Sequence, residues 1–129
     1  MKELIIIFII LIVIIGGALY IDKYLKNSSE ELVGILKHLK ENVNINSNYN
    51  TELVKKEAEK TYKRWEEIEK KWAFIVLHSE LDLIETSFVR MKAQIEEGEF
   101  ARSIEEIDAT IFLVHHISEK EKFCLKNIF

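Results

Sequence analysis

From Thr51 to Glu97 the chain contains neither Gly nor Pro, and apolar side chains recur at three- and four-residue steps, the period of a helix. No other feature constrains the fold as much. The spacing predicts one helix of roughly 70 Å at about 1.5 Å per residue, so the shorter flanking segments have to pack on different parts of it. Its apolar face changes partway. Val54, Ala58, Thr61, Trp65, Ile68, Trp72 and Ile75 form one line; Phe74, Leu77, Leu81, Ile84, Phe88, Met91 and Ile95 form a second, rotated by roughly 140° at about 100° per residue. The two halves are expected to face different neighbours, with the apolar run Trp72 to Leu77, where the lines overlap, as the most deeply buried section and a bend near His78 to Asp82.

With 48% apolar residues, no Pro and only four Gly in 129 residues, the chain reads as all-α: an N-terminal transmembrane helix followed by a small antiparallel bundle built on the long central helix. Strand patterns are absent. Leu4 to Ile21 is an unbroken apolar block, long enough with its flanks to cross a bilayer core, and Tyr20 and Tyr24 are placed to sit at an interface. The expected division is therefore residues 1–26 as anchor and flanks and 27–129 as a helical domain in water. The rival, a signal peptide cleaved near Gly16-Gly17-Ala18, is disfavoured by the length of the apolar core and a leader whose only cation besides the amine is Lys2.

Orientation signals conflict. A three-residue leader suits a signal anchor with the bundle outside the cytoplasm, whereas Lys23, Lys26, Lys37 and Lys40 after the span pull it inward. The expectation favours the extracytoplasmic face.

Net charge is −4. Residues 1–26 contribute +1, three lysines against Glu3 and Asp22, so the remainder carries −5. That acidity excludes a general nucleic-acid binder, which needs a basic face to displace counterions. Lys55, Lys56, Lys60, Lys63, Arg64, Lys70 and Lys71 are interleaved with Glu52, Glu57, Glu59, Glu66, Glu67 and Glu69, which reads as a solvated, ion-paired helix face. Cys124 is the only cysteine. No intrachain disulfide can form, and it reads as a small buried residue, an intermolecular disulfide being the alternative.

Ser28-Ser29-Glu30-Glu31 has capping-box form and predicts a helix over about 28–43 with Leu32, Ile35 or Leu36, Leu39 and Val43 on one face. The Asn-rich tract Asn44 to Asn50 predicts a reversing loop. Gly98 closes the central helix, and Phe100, Ile104, Ile107, Ile111 and Val114 predict a return helix over about 100–116. Ser118-Glu119-Lys120-Glu121 predicts a separate last helix over about 118–126, with Ile128-Phe129 docked. Trp65, Trp72, Leu77, Leu81, Ile84, Phe88, Ile104, Ile107 and Ile111 form the expected core.

Catalysis has no candidate. No nucleophile with a base at credible spacing and no glycine-rich phosphate loop occurs, so the expectation is a protein that is not an enzyme and needs no cofactor. One constellation invites a metal, His78, Glu80, Asp82 and Glu85 with His115 and His116: His78, Asp82 and Glu85 share a helix flank, and a hairpin at Gly98 would bring His115 level with Asp82. Without an HExxH or paired ExxH motif, a hydrogen-bonded network that fixes helix register is the preferred reading. Trp65 and Trp72, one heptad apart, read as core rather than as a stacking platform. The expected partners are the lipid bilayer, through Leu4 to Ile21, and a protein or a second copy of the chain.

Trp65 and Trp72, His78-x-Glu80-x-Asp82-x-Ile84, Ser87, Arg90, His116-Ile117-Ser118-Glu119-Lys120-Glu121 and Asn127-Ile128-Phe129 together resemble the uncharacterised bacterial domain-of-unknown-function family 4363. Its members look like short single-span proteins of spore-forming Gram-positive bacteria. The likeness covers nearly the whole chain and is strongest from Trp65 onward; it implies a membrane-anchored helical domain of the cell envelope and supplies no activity. Two positions depart from the pattern: Ser118 stands where Pro is common, and Leu77 precedes His78 where an acidic residue is usual. The second removes a carboxylate from the neighbourhood of His78.

Overall fold

The computed structural model describes residues 1–128, with side chains as far as Glu121. Every element is helical: α1 Lys2–Asn46, α2 Thr51–Trp72, α3 His78–Glu96 and α4 Phe100–Ile128. The helices run up and down in turn, and each packs on its two neighbours in a ring, α1 on α2, α2 on α3, α3 on α4 and α4 on α1. The expected all-α antiparallel bundle is what forms, but the bundle lacks the 51–97 helix. Ala73 to Leu77 interrupt it.

The interruption follows from the phase shift between the two apolar lines. A straight helix would point them at different neighbours, whereas a hairpin turns both toward one core, and Val54, Ala58, Trp65, Ile68 and Trp72 of α2 then meet Leu81, Ile84, Phe88, Met91 and Ile95 of α3. The Trp72 carbonyl accepts from both Ile75 N and Val76 N at 2.9 and 2.8 Å, and Leu77 adopts an extended φ/ψ of −59°/138°. The helix can go no further. The break lies just ahead of the expected bend at His78 to Asp82.

The same segment corrects the expected core. Trp72 and Val76 are buried, but Phe74 is 91% and Leu77 62% exposed, so the run is a turn with its ends tucked in rather than the deepest section. Trp65, Trp72, Leu81, Ile84, Phe88 and Ile107 are buried as expected; Ile104 and Ile111 only flank the core, half-buried.

The long helix of this molecule is α1, 45 residues or about 68 Å. The helix expected at 28–43 is its second half and extends to Asn46. Ser28 and Ser29 do not cap it. Their hydroxyls donate back to the Tyr24 carbonyl at 2.7 Å and the Lys26 carbonyl at 2.9 Å, the bonding of serines inside a helix. The compositional boundary at residue 26 thus falls within one helix. In α4 the expected break at Ser118 is likewise absent. The Cys124 and Ile128-Phe129 expectations fall outside the described side chains.

Loops elsewhere are as the residues suggest. The Asn50 side chain accepts from Leu53 N at 3.1 Å to open α2. Gly98 takes φ +79°, and Glu99 N to Gln94 O (2.8 Å) with Gly98 N to Ile95 O (3.2 Å) close α3 in a Schellman motif.

Candidate functional site

Several polar side chains inside the bundle pair with one another in layers. Nearest the N-terminal apolar segment, the Trp72 indole donates to Ser28 Oγ at 2.8 Å and Ser118 Oγ donates to Ser29 Oγ at 3.0 Å, tying α2 and α4 to α1. In the middle, Glu85 on α3 accepts from Tyr62 Oη at 2.5 Å and from Trp65 Nε1 at 2.6 Å, while the Trp65 ring stacks on Phe88 at 5.1 Å and meets Trp72 edge-on at 5.9 Å. Between α3 and α4, Ser87 Oγ donates to Glu106 Oε1 at 2.8 Å and shares a bond of 2.6 Å with Thr110 Oγ1.

The Glu85 layer shifts its neighbours. The hydrogen bond to Glu85, with burial and the carboxylate's charge behind it, pushes the Tyr62 phenol up to about 12. Glu69 is raised by burial first and then by the charges of Glu85, Glu66 and Asp82, against the lowering effect of His78. Burial and the nearby Glu80 likewise raise Glu121. Both oxygens of Glu85 hold a donor, so the layer works as a clamp between α2 and α3.

The candidate metal residues are scattered. His78 Nε2 and Asp82 Oδ1 are 3.7 Å apart on an exposed flank, near the spacing of two ligands on one ion, but no third ligand among the described residues joins them. Glu85 faces α2 instead, and His115 lines a small recess against α1 with Asp22, Ser29 and Ser118. Among the described residues no three His, Cys, Asp or Glu side chains converge as ligands. The expected hairpin brings α4 back along α3, but His115 is turned toward α1.

Two surface features stand out. A groove of about 780 Å³ runs between α1 and α2, lined by Glu31, Gly34, His38, Glu57, Lys60 and Arg64 among others. Arg64 bridges Glu31 at 2.8 Å and His38 bonds Glu57 at 2.9 Å across it. The second is α1 before Leu25, where the most apolar window of a helix long enough to cross a membrane has none of its residues buried. The residues that sequence reasoning missed are Tyr62, which lies one turn before Trp65 on the inward flank, and Glu106, which is one turn before Thr110 and faces Ser87. Their helical spacing was the only available signal.

A family described as Domain of unknown function (DUF4363) matches residues 19–128. No curated protein and no solved structure matches the chain.

Proposed function

The chain belongs to the DUF4363 family, a domain of unknown function, and from that premise we propose that it is a membrane-anchored, non-enzymatic scaffold or interaction protein of the bacterial cell envelope. The observation that carries this reading is the continuity of α1. Its first half carries an apolar window with no buried residue, a surface that water does not tolerate at that size, and its second half is one wall of the bundle.

Ser28, Glu85 and Ser87 are occupied by side chains of neighbouring helices, which supports the non-enzymatic reading. What the bundle presents is an outer surface of mixed charge, including the groove beside Arg64 and His38, suited to a protein partner or a second copy. The reading places the bundle on the extracytoplasmic face, against the pull of the lysines that follow the span. Lipid is the first partner, through Leu4 to Ile21.

Thiol labelling of whole cells tests it. With Cys124→Ser and Tyr49→Cys, the new thiol lies in the exposed loop between α1 and α2, where packing does not limit the reagent. A membrane-impermeant maleimide is expected to label intact cells, and the protein to stay with membranes through alkaline extraction. Labelling only after lysis places the bundle in the cytoplasm, and loss to the soluble fraction removes the anchor.

A further inference from the structure

The two ends of the bundle differ in what their loops are made of. The end away from the apolar segment carries the polar loop Ser47 to Asn50 and the turn Glu97-Gly98-Glu99; the other end carries Ala73-Phe74-Ile75-Val76-Leu77. In that turn Val76 points into the core while Phe74 and Leu77 point out. Two large apolar side chains in a five-residue turn that buries neither call for an apolar neighbour.

The register of α2 on α1 says where they lie. His38 meets Glu57, Glu31 meets Arg64, and the Lys71 ammonium sits 5.4 Å over the Tyr24 ring. Each step of seven residues toward the N-terminus of α1 is matched by seven toward the C-terminus of α2. Three residues further along that register, Phe74 is level with Ile21, the last residue of the apolar block. From Tyr24 to Ile21 the rise is about 4.5 Å, less than the roughly 5–8 Å of headgroup region on each side of a bilayer core. Around the turn, Lys23, Lys26, Lys70 and Lys71 are exposed and are positioned to meet lipid phosphates.

We propose that the Ala73 to Leu77 turn seats Phe74 and Leu77 in the interfacial layer of the same bilayer that α1 spans, giving the bundle a second membrane contact beside its anchor. The occupant of the apolar turn is lipid. An aromatic ring and a leucine at headgroup depth, flanked by lysines, match the chemistry of interfacial segments. The consequence is a bundle held upright on the membrane by two points rather than swinging on one. The inference rests on the reading of α1 as a membrane span.

Spin-label depth measurements separate the two. The full chain carrying Cys124→Ser is reconstituted in phosphatidylcholine–phosphatidylglycerol vesicles with a nitroxide at Phe74→Cys, Tyr49→Cys or Ile10→Cys. The ratio of oxygen to water-soluble nickel chelate accessibility is expected to be several-fold higher at position 74 than at 49, and highest at 10. Equal ratios at 74 and 49 with a high ratio at 10 overturn the turn contact and leave the anchor standing. Low ratios at all three overturn both. Strong dipolar broadening between labels at 74 overturns the lipid occupant in favour of a second copy.

Discussion

Glu85 takes hydrogen bonds from two aromatic side chains of the neighbouring helix, and its effect on Tyr62 is open to titration. The folded chain keeps the Tyr62 proton up to about pH 12, whereas an unfolded tyrosine releases it near 10. Between those values the folded state binds more protons, so stability falls as pH rises; below about pH 10 the contribution is intact. Tyr62→Phe is expected to cost about 1 kcal/mol at neutral pH through the lost bond, and its melting temperature should then fall less steeply than that of the parent from pH 10 to 12. Glu69 runs on the same logic in the carboxylate range. Its raised proton affinity means stability falls as pH rises through that range, so Glu69→Gln should raise the neutral-pH melting temperature and lose its advantage as acid protonates the parent. Trp72 is the residue the sequence identified best: fully buried, bonded to Ser28, and predicted to cost about 3–5 kcal/mol as Trp72→Ala in denaturant unfolding. Leu77 is the residue it misplaced, because membership of an apolar line says nothing about where the line is cut.

Element boundaries were legible only where a residue enforces them. Gly98 was readable because a positive φ selects glycine, and the loop ending at Asn50 because its asparagines compete for backbone hydrogen bonds. A Cβ at Gly98 would touch nothing, so Gly98→Ala should cost about 1–2 kcal/mol through backbone strain alone, with Gly98→Asn milder; chemical denaturation of the two variants measures the difference. Ser28 and Ser118 misled because a capping-box pattern opens a helix only when something closes the one before it, and no Gly or Pro lies between Ala18 and Ser28 or between Phe100 and Ser118. The turn at Ala73 to Leu77 had no breaker either; its sole signal was the phase shift between the two apolar lines, which fits a change of neighbour as well as a fold-back. Within α2 the inward residues grow from Val54, Ala58 and Thr61 to Trp65, Ile68 and Trp72. Small side chains bury less apolar area, so amides of Glu57 to Thr61 should exchange with solvent faster than those of Trp65 to Ile68 in native-state hydrogen exchange.

For the whole molecule, composition divides the chain at residue 26 and structure does not. A flexible joint there would let the bundle drift relative to the span. Instead Ser28 and Ser29 bond to the preceding turn, Leu25 is buried in the shared core, and Lys71 packs on Tyr24, so the last turns before the bundle are held both along the helix and from the side. The candidate metal set failed at this scale for a related reason: helical spacing predicted which flank each residue occupies, but the facing of α4 is set by its packing on α1 and α3 together, which a single helix pattern does not contain. Continuity makes a sharp prediction for exchange in vesicles. Amides of Lys23 to Asn27, between the apolar block and the bundle, should be protected to nearly the degree of the bundle's α1 amides at Leu32 to Leu39. Asn27→Pro, on an exposed position, removes one helical hydrogen bond and drives its ring against the Lys23 carbonyl, at a cost of about 3 kcal/mol or more. Protection at the junction should collapse in that variant while the distal half of α1 keeps most of its own. Junction amides that already exchange as fast as a free chain in the parent protein would mean that anchor and bundle are hinged, and that α1 is two helices in the membrane-bound state.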